Sequence, residues 1–177
     1  MNNPLVGIVM GSDSDLPVMR GAADILDEFG IPWEMIISSA HRAPEKTATY
    51  AREAAGRGLA VIIAGAGSAA HLAGVIAGHT PLPVIGVPIS SGALNGVDAL
   101  YATVQMPPGI PVATVAINGA KNAGILAAQI VSAGRPEVRE KIIAYKQKMT
   151  RQVEEKSALL QELGVEMYLQ KIGGKKA

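Results

Sequence analysis

The residues best equipped for proton chemistry are His41 and His71, and His41 is followed directly by an arginine in Ser38-Ser39-Ala40-His41-Arg42-Ala43-Pro44. An imidazole titrates near ~6.5 and can both give and take a proton around neutrality. The guanidinium of Arg42 can hold a phosphate through two hydrogen bonds. A second cluster, Gly11-Ser12-Asp13-Ser14-Asp15, joins a glycine suited to a tight turn with hydroxyls and a helix start, which together can receive an anion. Asp15 can cap that helix or accept from sugar hydroxyls. A third run, Gly65-Ala66-Gly67-Ser68-Ala69-Ala70-His71, has the Gly-x-Gly-x-x-Ala form of a dinucleotide-binding turn. That reading is weak, because the run follows the third strand rather than the first. It also lacks an acid about 20 residues on, where the chain reads Leu82 to Val87. A glycine turn that lets the backbone approach a small ligand is the better reading. His71 points either into that site or along a helix, and His79 after Gly78 reads as a helix-end residue. Ser68 lacks the Gly-x-Ser-x-Gly elbow of a hydrolase. Three scattered histidines without paired acids make a poor metal site, and without cysteine neither disulfides nor thiolate metal ligation is available.

Alternating apolar and helical segments must position these loops. Leu5 to Met10, Trp33 to Ile37, Ala60 to Ala64, Pro83 to Val87 and Pro111 to Ile117 read as five strands. Helices are expected from Asp15 to Phe29, from Pro44 to the glycines at 56 and 58, from about Ser68 to Gly78, from Asn95 to Gln105 and from Ala120 to Ser132. Strands followed by helices imply right-handed crossovers and a parallel sheet covered on both faces. The expectation is a three-layer α/β, flavodoxin-like, doubly wound sheet of order 2-1-3-4-5. In such a sheet ligands bind beyond the carboxyl ends of the strands at the switch point, so the three loops should converge there. From Glu137 to Leu163, Val138, Ile142, Tyr145, Met149 and Val153 recur every three or four residues, the apolar stripe of a long amphipathic helix. Residues 1–164 are expected to form one domain, including this C-terminal helix from about 136. Residues 165–177 form a tail that ends frayed in Gly173-Gly174-Lys175-Lys176-Ala177.

Composition bounds the rest. The 177 residues are 49% hydrophobic and 18% charged with a formal net charge of +1, which excludes a disordered chain and argues against nucleic acid or membrane surfaces as partners. No signal-peptide pattern and no transmembrane run is evident, so a cytoplasmic setting is expected. Between Leu59 and Ala120, Asp98 is the only Asp, Glu, Lys or Arg. So little charge predicts that much of this region is buried between subunits.

Several blocks carry a resemblance to a known family. They include Met10-Gly11-Ser12-Asp13-Ser14-Asp15, Ser39-Ala40-His41-Arg42-Ala43-Pro44 and Ala64-Gly65-Ala66-Gly67-Ser68-Ala69-Ala70-His71-Leu72. Downstream, Gly96-Val97-Asp98-Ala99-Leu100 and Val104-Gln105-Met106-Pro107-Pro108-Gly109-Ile110-Pro111 continue it, over about the first 130 residues. In these blocks the chain resembles the N5-carboxyaminoimidazole ribonucleotide mutases. The resemblance implies an isomerase of purine (IMP) biosynthesis that moves a carboxylate from nitrogen to a ring carbon through carbon dioxide, with no cofactor and no metal. It implies His41 as the proton shuttle, Ser12, Asp15 and Arg42 as substrate ligands with Arg42 on the phosphate, and Ser39, Ala66, Gly67 and Leu72 lining the site, with His71 a further contact. It also implies a homo-octamer whose C-terminal helix reaches a neighbouring subunit. Asp13 stands where the family often has a longer, often basic residue, Ser68 replaces a common glycine and Ala73 a common proline. The alternatives are the related carboxylase that fixes free carbon dioxide, whose loops carry Ser-Ala-His-Lys and Ala-Gly-Arg-Ser, and a non-catalytic flavodoxin-like binder.

Overall fold

A computed structural model describes residues 3–173. Five strands form one sheet: β1 (Val6–Met10), β2 (Trp33–Ile37), β3 (Val61–Gly67), β4 (Val84–Ile89) and β5 (Ala113–Thr114). The order is β2-β1-β3-β4-β5, and every neighbouring pair is parallel. The helices are α1 (Leu16–Phe29), α2 (Pro44–Ala54), α3 (Leu72–His79), α4 (Val97–Val104), α5 (Ala120–Ser132) and α6 (Pro136–Gly173). Parallel neighbours require crossovers, and α1 to α4 supply them as the sequence requires. Helix α1 packs on α5 and α2 on α3, so the apolar strands are covered on both faces. All five residues of β1 are buried, as are all six of β4, whereas the edge strand β2 is half-buried. Val9, Ile62, Ala64, Leu72 and Ile76 belong to one cluster that joins the sheet to α3.

The main departures from expectation have local causes. Strand β3 runs through Gly67, so both glycines of the Gly-x-Gly run belong to the strand and not to a helix-opening turn. Ser68 then takes φ 52°, a left-handed backbone that cannot be part of a right-handed helix, and α3 begins at Leu72. Strand β5 has two residues instead of the expected seven between Pro111 and Ile117. Its partner β4 contains Pro88, which has no N–H to donate, so the ladder stops after Gly86 pairs with Thr114.

Strand β2 and helix α2 flank the His41 loop, and they are clamped at the end away from it. Arg57 donates Nη1 to Glu34 Oε2 at 2.9 Å and Nη2 to Oε1 at 2.6 Å, while Tyr50 donates its hydroxyl to Oε1 at 2.7 Å. The Arg57 guanidinium also lies 4.9 Å from the Tyr50 ring centre. The hydrogen bonds from Arg57 hold the Glu34 carboxyl below its ordinary range, and burial pushes the Tyr50 phenol well above its own.

Residues up to Arg139 form one compact unit and those from Glu140 onward a second. The second unit is the body of α6, whose helical backbone is interrupted at Gly164 (φ 71°) and resumes to Gly173. Met149 and Val153 of the apolar stripe are exposed. The expected frayed end at 174–177 lies outside the described residues. Among the described residues no helix is long and apolar enough to cross a membrane.

The α1–α5 contact depends on Gly124. A Cβ there would lie 2.8 Å from the Ala22 carbonyl oxygen and press on Ile25 Cγ2. Gly124→Ala should therefore destabilise the fold by about 1–3 kcal/mol despite the better helix propensity of alanine, read from urea unfolding. A variant as stable as the parent would show that the two helices can part freely.

Candidate functional site

Three chain segments leave the carboxyl ends of β1, β2 and β3 side by side, because these strands are adjacent and parallel. Together they enclose an open cleft of about 390 Å³. The first segment contributes Ser12 and Asp15, the second Ser39, His41 and Arg42, and the third Ala66, Gly67, His71 and Leu72. All nine residues singled out from the sequence thus line one cavity. His79 lies outside it, exposed at the last position of α3.

The first segment is shaped by its own hydrogen bonds. Ser12 caps a single 3-10 turn at Asp13–Asp15, its Oγ accepting from the Ser14 N–H at 3.3 Å. Asp15 closes a capping box by accepting the Ser12 N–H at 3.1 Å. This corrects one expectation: Asp15 makes no side-chain cap for α1, because its carboxylate is turned back to Ser12. The residue is buried, at 7% relative exposure. Burial raises its pKa above the ordinary value, against the lowering effect of N–H groups from Ser12 and Gly11 and the hydroxyl of Ser14; Asp13 nearby adds a further upward push.

The second segment is tied down at both ends. Ser38 and Thr47 share a buried hydroxyl–hydroxyl bond of 2.8 Å, which links the end of β2 to the first turn of α2. Ser39 accepts the Arg42 N–H at 3.2 Å, and its carbonyl accepts the Ala43 N–H at 2.8 Å. The turn thereby presents His41 and Arg42 on the cleft side, both exposed. Arg42 donates Nη2 to the Gly11 carbonyl at 3.2 Å, so its guanidinium bridges the first two segments.

The third segment decides the orientation of His71. Its Nδ1 lies 2.8 Å from His41 Nε2, with the rings edge-on at a centroid distance of 4.9 Å and 68° between planes. His71 therefore points into the cleft and not along α3. One ring must give the N–H and the other accept it, so at least one of the pair is neutral while the bond exists. Two further residues line the cleft: Ser91, beyond β4, which the sequence did not single out, and Ser68, which it rejected as a hydrolase nucleophile; their hydroxyls are 3.1 Å apart. A Cβ on Gly67 would collide with Ser91, so the bare backbone of Gly67 is what admits the fourth segment. The signal for Ser91 was available, since β4 neighbours β3 and ends at the same edge. Ser68 occupies a left-handed backbone conformation that favours glycine.

Among the described residues no group of three or more His, Asp or Glu side chains is arranged as a metal-ligand set. The arrangement offers a hydrogen-bonded imidazole pair, a guanidinium, a buried carboxylate, several hydroxyls and open backbone. It can move a proton within a small anionic substrate held by the arginine.

Comparison with known proteins gives this geometry a family context. A family model described as AIR carboxylase matches residues 5–152. An N5-carboxyaminoimidazole ribonucleotide mutase from Pyrococcus horikoshii is 62% identical over 166 residues, spanning 94% of each chain. A phosphoribosylaminoimidazole carboxylase from Schizosaccharomyces pombe is 54% identical, but there the match takes in 95% of this chain and only 30% of the relative. Among solved structures, PurE of Treponema denticola superposes with a TM-score of 0.80 at 32% identity, over 89% of this chain and 98% of that one.

The raised pKa of Asp15 carries a stability consequence. A carboxyl whose folded value exceeds its unfolded value favours folding when protonated, and that contribution fades as pH rises through the folded value. At neutral pH the ionised carboxylate is therefore a burden on the fold. Asp15→Asn keeps an acceptor for the Ser12 N–H and should unfold no more easily than the parent near pH 7. The parent should gain relative to the variant on acidification below the raised value, in thermal melts across pH. A variant markedly less stable at pH 7 would contradict this account.

Proposed function

The chain belongs to the AIR carboxylase family, and on that premise we propose that it is an isomerase converting N5-carboxyaminoimidazole ribonucleotide to 4-carboxy-5-aminoimidazole ribonucleotide in de novo purine biosynthesis. The observation that carries the reading is the 2.8 Å bond between His41 and His71 at a cleft that also presents Arg42. His41 is the proton shuttle. The exocyclic N–C bond breaks and releases carbon dioxide, and the nitrogen takes a proton from His41. The ring carbon then attacks the carbon dioxide, forming the new C–C bond, and returns its proton to His41. One group acts first as acid and then as base, so the cycle closes with no net proton and no cofactor. His71 holds the His41 ring in place and sets which nitrogen carries the proton. Ser12 and Asp15 take the ribose side, Arg42 the phosphate, and Ser39 with the backbone at Ala66, Gly67 and Leu72 the remaining contacts.

The mutase reading is favoured over direct fixation of free carbon dioxide by two features. The chain matches the mutase relative nearly end to end, and it carries Arg42 after His41 and Gly65-Ala66-Gly67 in the third segment. A flavin-binding role is disfavoured by an aromatic content of 3%. The functional unit is residues 1–164 with the C-terminal helix from about 136, acting in the cytoplasm as a homo-octamer. Assembly is supported by exposed apolar side chains in the charge-poor region, with Leu94 at 61%, Tyr101 at 60% and Val104 at 50% exposure.

Two measurements test this. The protein should isomerise the substrate without added bicarbonate, and His41→Asn should lower kcat by at least ~10² while still binding substrate; near-normal turnover would refute the shuttle. Light scattering should give a mass several times 18.3 kDa, and a value near 18.3 kDa would rule out the assembly.

A further inference from the structure

We propose that Lys46 is a second cation at the phosphate end of this site, a positioning residue for the ribonucleotide that works beside Arg42; the proposal rests on the function proposed above. It starts from a second cleft of about 400 Å³ that shares Gly11, Ser12, Ser39 and Arg42 with the first. His41 and His71 line only the first cleft, Lys46 lines only the second, and Arg42 lines both. The combined groove therefore has a direction, with proton transfer at one end and two cations toward the other.

Lys46 sits where helix electrostatics disfavour it. It is the third residue of α2, and the positive end of a helix favours anions over ammonium groups. Its Nζ donates to the Ile37 carbonyl at the end of β2, at 3.1 Å, which directs the exposed side chain back along the loop mouth. An ammonium has three donors, so that bond leaves others for a ligand. Charge balance gives the residue a purpose. Asp13 also lines the second cleft, and its charge cancels that of Arg42. Asp13 Oδ1 is held by the Ser12 hydroxyl at 3.0 Å and the Ser14 N–H at 3.1 Å, within its own turn. With Lys46 the charged groups lining the cleft sum to net positive, as a dianionic phosphate monoester requires. A planar guanidinium and a compact ammonium can then engage different oxygens of one phosphate.

The test uses the full chain with ribose 5-phosphate and with ribose as probes, by isothermal titration calorimetry. Lys46→Met should weaken ribose 5-phosphate binding roughly tenfold, the low end for a hydrogen bond to a charged group at an exposed site. Lys46→Arg should restore most of it, and ribose should show no dependence on position 46. Arg52→Met removes the same charge from the far end of α2 and should bind like the parent. In turnover, the Lys46→Met loss should fall on KM rather than kcat, whereas a loosened loop would lower kcat and the melting temperature. Equal affinity in Lys46→Met and parent, an equal loss in Arg52→Met, or no binding by the parent would each overturn the proposal. A parent that binds ribose 5-phosphate in a Lys46-dependent way yet fails to isomerise would refute the assigned reaction and leave the anion end standing.

Discussion

The whole arrangement depends on strands β1, β2 and β3 being parallel neighbours. Each strand is followed by a helix that returns the chain to the starting edge, so every strand ends at the same side of the sheet. Adjacent parallel strands lie roughly 5 Å apart, which sets the spacing of the loops that follow them. The imidazole pair exists because of this spacing: His41 and His71 are thirty positions apart, yet their ring nitrogens are at hydrogen-bond distance. Buried strands β1 and β3 carry this geometry, and the Glu34–Tyr50–Arg57 clamp secures the more exposed edge strand beside them.

Within that frame the loops divide the chemical labour by their local bonding. The first segment spends its polar groups on itself, through the Ser12–Asp15 box, and so presents a fixed surface. The second is pinned by Ser38–Thr47 and Ser39, which turns His41 and Arg42 toward the cleft, where His41 meets His71 and Arg42 reaches the Gly11 carbonyl. The third gains access through the missing side chain of Gly67 and the unusual backbone of Ser68. Asp15 shows the tension in such a site: a carboxylate is kept buried although burial disfavours its charge. Active sites often hold groups that the fold alone would not choose.

The charge-poor stretch from Leu59 to Ala120 serves two purposes. Its strands and α3 build the covered centre of the sheet, while Leu94, Tyr101 and Val104 remain outside any intrachain core. A surface of that kind is more easily understood in an assembly than in a single subunit.

Much of this was written in the sequence. Apolar strands alternating with helical patterns determine a parallel doubly wound sheet, and the rule for such sheets points to the carboxyl edge. The residue types in three loops then suggest an imidazole, a guanidinium and a glycine turn around a small anion, and the family blocks narrow the substrate. Tertiary structure alone decided the rest. Whether His71 faced the cleft or the helix could not be read from spacing, because it depends on where β3 stops and on the left-handed turn at Ser68. The length of β5 depended on a missing N–H in a neighbouring strand. The hydrogen-bond partner of the Asp15 carboxylate within the fold was decided by a nearer backbone donor, the Ser12 N–H, and not by the first turn of α1. Ser91 and Lys46 come to the groove from beyond β4 and from α2, so only the packed sheet brings them beside residues far away in the chain. Local propensity and pattern specify which elements form; which side chains meet is decided by distances across the fold.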